Sequence, residues 1–170
     1  MISIKIISTP TALEKLSANS GQIVERMQRR MDLIMLKLQS KIVGETIPEM
    51  FPNGAPNIAS TVATLPARTA GTIIHGEVRA GGPRTTKRTL WSGAEVDYAI
   101  VQHEGIAHSY PILPFNKRAL SFLLEGNRVI VKRVTHPGLK PRPYMTAALK
   151  AMAEQIVAEF QAEVNAFLAG

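Results

Sequence analysis

The chain has 170 residues, no cysteine, few aromatic residues and no long apolar run. The absence of cysteine excludes disulfide bonds, cysteine-ligated zinc sites and thiol catalysis. No stretch approaches the roughly 18 apolar residues of a membrane span, and the apolar start MISIKIIS lacks a signal-peptide continuation. We therefore expect a soluble chain that makes no membrane contact, is not secreted by the standard route, and forms a single domain over residues 1–170.

Motifs of the common enzyme classes are also missing. The sequence contains no G-x-S-x-G elbow, no P-loop and no dinucleotide-binding glycine pattern. Its acidic residues between positions 77 and 125 are mostly isolated in sequence, and none forms an obvious acid–base pair. We therefore expect no enzymatic activity and no cofactor.

Two histidines lie close together in the segment VQHEGIAH. In a helical zinc site of the H-E-x-x-H type, histidines four residues apart lie on one face. Here His108 follows His103 by five residues, which separates the side chains by roughly 140° on an ideal helix. Gly105 between them is also a poor residue for a helix interior. A metal-dependent hydrolase built on His103, Glu104 and His108 remains an alternative, because loops do not follow helical spacing.

Positive charge is concentrated in the middle of the chain. The stretch from Arg68 to Arg142 holds 12 basic and 5 acidic residues, and the whole chain has a net charge of +7. The segment GGPRTTKRTLWSG, residues 81–93, has the composition of a mobile loop and carries Arg84, Lys87 and Arg88. These residues predict a surface that faces a partner protein or passing DNA, and the alternative is a nucleic-acid-binding module that uses this region.

Hydrophobic periodicity predicts two long helices that flank several strands. Apolar residues recur every three or four positions from Thr11 to Val43, and again after Pro141. Gly44 and Pro48 are predicted to end the first helix. Strands are predicted for ISIKII, for IASTVATL from Ile58 and for GTIIHGEVRA from Gly71. A hairpin is predicted with Gly126-Asn127 at its turn. This order indicates an α+β fold: a mainly antiparallel sheet with the long N-terminal and C-terminal helices packed on it, plus a short helical turn.

The first helix is unusually apolar around its middle. Four consecutive residues, Leu33 to Leu36, point in almost every direction around the helix axis. One sheet can cover only one side of such a helix, so a second element or a second subunit must cover the rest. We predict a helix interface formed by Leu33, Met35 and Leu36.

Two segments carry a family resemblance. VDYAIVQHEG, Val96 to Gly105, and KRALSFLLEGNRVIVKRVTHPGLKPRPYMTAAL, Lys117 to Leu149, resemble consecutive elements of the neck and tail-completion proteins of long-tailed bacteriophages, a family that includes minor tail and head-tail joining proteins. The order and spacing of the elements match over about 55 residues. The matching motifs consist of a short helical element, a hairpin, a His-Pro-Gly turn and an Arg-Pro-aromatic entry into the last helix.

The resemblance implies a structural virion protein at the neck or tail end, assembled in the host cytoplasm. Such a protein forms a homo-oligomeric ring, contacts other neck and tail proteins, and binds no cofactor. It also implies that the matching motif residues serve the fold or a subunit interface: Tyr98, Glu104, Gly105, His136, Pro137, Gly138, Arg142, Pro143 and Tyr144.

Overall fold

The computed structural model describes residues 2–8, 20–54, 56–70, 73–88, 95–114 and 117–169. Five α-helices lie in this part of the chain: α1 Ser20–Lys41, α2 Ile47–Met50, α3 Pro56–Ala59, α4 Tyr98–Glu104 and α5 Tyr144–Ala169. A π-helical turn, Ile42–Thr46, joins α1 to α2. The described strands are β1 Ile2–Ser8, β2 Ala63–Ala70, β3 Ile73–Ala80, β4 Thr86–Arg88, β5 Glu95–Asp97, β6 Tyr110–Ile112, β7 Leu120–Leu124, β8 Asn127–Val131 and β9 Val134–His136.

All described strand pairs are antiparallel, and the predicted α+β class is confirmed. One sheet has three strands in the order β1-β3-β2, and the other pairs are β4-β5, β6-β9 and β7-β8. The central strand β3 alternates between buried and partly exposed residues, as expected for a strand covered on one face. Helix α1 packs on β2 and β3, and α5 packs mainly on α1. The layers are therefore the three-stranded sheet, then α1, then α5.

Helix α1 is covered on two sides, which explains its broad apolar surface. Its buried side chains approach β3 closely at Gly76, where an added Cβ would lie 2.6 Å from Met31 Sδ and 2.9 Å from Met35 Cγ. The absence of a side chain at Gly76 allows the helix to pack closely against the strand. The remaining buried apolar side chains of the helix belong to the same core cluster, and they are Ile23, Met27, Ile34 and Leu38. The predicted residues 11–19 of this helix lie outside the described residues.

A charged seam joins α1 to α5. Arg30 Nη2 lies 2.7 Å from Glu163 Oε2, and Lys37 Nζ lies 2.7 Å from Glu159 Oε1. Hydrogen bonds from Arg30 and Lys37 are the main reasons that the pKa values of Glu163 and Glu159 lie below the ordinary carboxyl value. Arg26 also reaches Glu163 at 3.1 Å. These pairs fix the antiparallel register of the two long helices.

The prediction that Gly44 and Pro48 end the first helix is wrong. The chain continues through the π-helical turn into α2, where Ile47 N donates to Ile42 O. This wider turn brings Pro48 into the first turn of α2, where its missing N–H costs no helical hydrogen bond.

Two further boundaries differ from the predictions. Ile58 lies in the short helix α3 and is fully buried, so its apolar character reflects burial rather than a strand; β2 begins only at Ala63. Within the predicted loop 81–93, residues 86–88 form β4, which pairs with β5. Residues 89–94 lie outside the described residues.

Candidate functional site

Asp97 organises the start of the first motif segment. It caps α4 by accepting a hydrogen bond from Ala99 N at 2.9 Å. The same carboxylate accepts from Gly82 N at 2.8 Å and from the hydroxyl of Thr85 at 2.7 Å. Gly81 has a φ of 101°, and a Cβ there would collide with this carboxylate. Asp97 therefore ties the turn of residues 81–85 to the beginning of α4.

The protonation of Asp97 follows from these contacts. Burial raises its pKa, but the hydrogen bonds from Thr85, Gly82 and Ala99 outweigh burial and leave the pKa below the ordinary value. The group is therefore a carboxylate at neutral pH.

A cleft of about 370 Å³ opens beside this turn. Arg84 and Lys87 line it from the turn and β4, Tyr98 from the start of α4, and Asn57 and Ile58 from α3. We call these five residues the cationic cleft. In the sequence, Tyr98 belongs to a family motif and the cations belong to a separate predicted loop, and the folded chain brings them together.

Tyr98 lies on the exposed side of α4. Tyr98 is 47% exposed, and the buried residues of α4 are Ala99 and Gln102. Tyr98 therefore does not help to bury α4, because the helix turns its other side inward. Arg88 ends β4, and its side chain lies outside the described part of the chain.

Tyr144 anchors α4 to the start of α5. Its side chain is fully buried, its hydroxyl donates to Ala99 O at 3.2 Å, and its ring contacts His103 edge-on at 5.3 Å between ring centroids. Burial is the main cause that raises the pKa of Tyr144 above its ordinary value. Burial also lowers the pKa of His103, against the opposing effect of the nearby Glu104 charge. His103 is consequently neutral at physiological pH, and Glu104 itself is exposed.

Arg142 stacks on an aromatic ring. Its guanidinium carbon lies 4.7 Å from the centroid of the Phe51 ring. The ring of Phe51 in turn meets Tyr144 edge-on. Pro143 is exposed and directly precedes α5.

The two motif glycines allow two backbone segments to approach each other. Ile106 and Leu139 exchange both backbone hydrogen bonds, at 2.8 and 2.9 Å. A Cβ at Gly105 would lie 2.7 Å from Pro141 N, and one at Gly138 would collide with the carbonyl of Ile106. Gly138 has the positive φ expected at a chain reversal, 100°. Gly105 also has a positive φ, and with a ψ of −177° it directs the chain away from α4 toward residue 139.

His136 ends β9 and fixes the following turn. Its Nδ1 accepts from Gly138 N at 3.1 Å, and its ring stacks on Tyr110 of the paired strand at 4.9 Å. Pro137, between His136 and Gly138 in the sequence, is exposed. These motif residues therefore support local structure.

The hairpin β7–β8 is the most exposed apolar element that the structure describes. Glu125 and Gly126 form its turn with φ values of 51° and 82°, one residue earlier than predicted, and the predicted hairpin is confirmed. The two strands make no extensive contact with any other described helix or strand. Leu123 is 74% exposed and Ile130 64%, and Phe122 and Leu124 are also exposed.

The predicted helix interface is only partly available. Leu36 is 53% exposed and Leu33 is similarly exposed, whereas Met35 is 1% exposed and packs at Gly76. Assigning Met35 to an exposed interface is therefore wrong, because that side of α1 lies on β3.

No group of three or more histidine, aspartate or glutamate side chains is gathered for a metal ion in the part of the chain that the structure describes. His103 packs on Tyr144 and lies 3.4 Å from the hydroxyl of Thr146. The described helices include none with the length and apolarity needed to cross a bilayer.

Sequence reasoning missed Asp97 and Phe51. An aspartate directly before a helical segment is a helix-start signal, so Asp97 was available to find. Phe51 follows the predicted end of the first helix in a turn-rich stretch, and no sequence signal points to its contact with Arg142.

Comparisons of the chain with protein-family models, with curated proteins and with solved structures found no match.

Proposed function

We propose that the chain is a structural subunit of a bacteriophage neck or tail-completion ring, in which the β7–β8 hairpin of one copy docks on the next copy. The observation that carries the proposal is the uncovered apolar hairpin. The resemblance of residues 96–105 and 117–149 to the tail-completion family supplies the assembly. In this role the protein turns over no substrate, holds no cofactor, contacts other neck and tail proteins and resides in the virion.

Both faces of the hairpin are apolar. Five apolar residues share one face: Leu120, Phe122, Leu124, Val129 and Val131. The other face holds Leu123 and Ile130 beside Ser121 and Arg128. A two-stranded hairpin is at best marginally stable alone in water, and a soluble monomer gains nothing from exposing these side chains. A second surface that covers the hairpin would stabilise it.

The same chain offers other uncovered apolar side chains. Leu33 and Leu36 stand on the outer side of α1, and Val157 stands on the outer side of α5. A hairpin from one copy that meets a different surface on another copy forms a heterologous contact. Repetition of such a contact generates a ring when the rotation closes. A heterologous contact of this kind would cover both the hairpin and the exposed apolar side chains of the long helices. For this reason we favour a second copy of the chain over an unrelated partner.

The test replaces Leu123 and Ile130 with glutamate and compares sedimentation and thermal unfolding with the parent chain. We expect the parent to form oligomers at high concentration and the variant to remain monomeric. The midpoint of unfolding should change little, because substitutions at exposed sites alter stability by about 0.5 kcal/mol or less. Leu113→Glu is the matched control, since Leu113 is also exposed but lies outside the hairpin.

Two results would count against the proposal. One is a parent chain that stays monomeric at high concentration and also with candidate neck proteins. The other is a hairpin variant that assembles as the parent does.

A further inference from the structure

The cationic cleft combines positive charge with an exposed aromatic ring. Arg84 and Lys87 are both exposed, and none of the described residues that line the cleft is acidic. The carboxylate that holds this turn, Asp97, accepts hydrogen bonds from Thr85, Gly82 and Ala99. Two cations without an acidic neighbour in the lining attract an anionic ligand.

The backbone holds the cations and the ring in a fixed relation. Tyr98 N donates to Thr85 O at 2.9 Å, so the residue that carries the ring is bonded to the turn that carries Arg84. Asp97 closes the same turn from the other side. Little backbone order therefore has to be gained on binding, which favours affinity.

The size and lining of the cleft fit a unit with an anion and a flat ring. Its volume of about 370 Å³ is near the lower end of the range for small-ligand sites, roughly 300–1,000 Å³. Tyr98 is nearly half exposed and can stack on a base, and the exposed Asn57 offers both a donor and an acceptor. Bases in a duplex are already stacked and paired, so only an unpaired nucleotide can use all of these groups.

We propose that the cationic cleft binds a nucleotide of single-stranded nucleic acid, with Arg84 and Lys87 on the phosphate and Tyr98 stacked on the base. An acidic protein segment could use the cations, but its carboxylates would leave the Tyr98 ring without a stacking partner. The cleft shares no residue with the hairpin, so this inference does not rest on the ring proposal.

The experiment measures fluorescence anisotropy of a labelled oligothymidylate with the full chain, over a series of salt concentrations. Tyr98→Ala should weaken binding by about five-fold or more, the loss expected for one stacked base, whereas Tyr98→Phe should bind like the parent. Arg84→Ala with Lys87→Ala should lower the slope of log affinity against log salt by about 0.7, because one neutralised phosphate of a single strand contributes about 0.7. The matched control removes one arginine and one lysine outside the cleft, Arg29→Ala with Lys150→Ala.

Competition distinguishes the possible ligands. Unlabelled oligothymidylate should displace the probe better than a duplex of equal length, a polyglutamate peptide or inorganic phosphate. The proposal is overturned if polyglutamate competes equally and Tyr98→Ala binds like the parent, which would indicate an acidic protein partner. It is also overturned if the control pair weakens binding as much as the cleft pair. Sedimentation of the same variants reports separately on ring formation.

Discussion

Replacing Asp97 with alanine tests whether one carboxylate holds the cleft and the first motif helix together. The substitution removes the acceptor for three donors: Ala99 N, Gly82 N and the Thr85 hydroxyl. Thr85 is buried, but its hydroxyl also lies 3.1 Å from Gly82 O, which remains as an acceptor. The two backbone amides lose the acceptor that Asp97 provides.

The expected loss follows from these contacts. Removing a helix N-cap costs about 0.5–2 kcal/mol. A buried donor left without its partner costs about 1–3 kcal/mol, less where water reaches it, as it does at the partly exposed Gly82. Because the three bonds share one carboxylate, their contributions are not additive. We expect the free energy of unfolding to fall by about 2–4 kcal/mol.

Urea unfolding at neutral pH measures this loss. Glu95→Ala is the matched control, since it removes the same charge two residues earlier from an exposed position of β5. The folded-state pKa of Asp97 lies below the ordinary 3.8, so its contribution is full above that value and is lost as pH falls through the folded pKa. The difference between the parent and the Asp97→Ala chain should therefore shrink at strongly acid pH. A loss below about 0.5 kcal/mol, the range of ordinary surface changes, would refute the reasoning.

Two further predictions concern the long helices. Met35→Glu should prevent folding, because it buries a charge against β3. Leu36→Glu should change the free energy of unfolding by about 0.5 kcal/mol or less, because Leu36 is exposed. Thermal unfolding compares the two variants, and a folded Met35→Glu chain would contradict the packing of Met35 on β3. Glu163 has a pKa lowered from 4.5, chiefly by its hydrogen bond from Arg30, so its contribution is present above that value and is lost as pH falls through the folded pKa. Glu163→Gln should therefore lose less stability than the parent between pH 7 and pH 3 in urea titrations. Equal losses would show that the ion pairs of Glu163 contribute nothing to stability.

The α+β class and the main elements could be predicted from sequence because they follow from local periodicity. The three- and four-residue spacing indicated α1 and α5, alternation indicated β3, and a glycine between two apolar runs indicated the hairpin. These patterns record which side of each element meets water, and they need no knowledge of the partner surface.

Boundaries required the tertiary structure. Pro48 is compatible with a helix only because the π-helical turn before it shifts the hydrogen-bond register. Ile58 has the apolar, β-branched character of a strand residue, but it lies in a four-residue helix and its side chain is buried. The type of a residue indicates whether it is buried and which secondary structure it favours, but the contacts of the folded chain decide its conformation.

The candidate site shows the same division. The composition of the sequence identified exposed cations, including Arg84 and Lys87, and a motif containing Tyr98. It could not place them in one cleft, because their proximity depends on the hydrogen bonds of Asp97 across residues 82–99. Nor could it show that Ile34 and Met35 face inward while Leu33 and Leu36 stay exposed, since that depends on where β3 and α5 contact α1. The sequence alone determined which chemical groups the chain carries, and only tertiary packing decided which of them meet, because such contacts join residues distant along the chain.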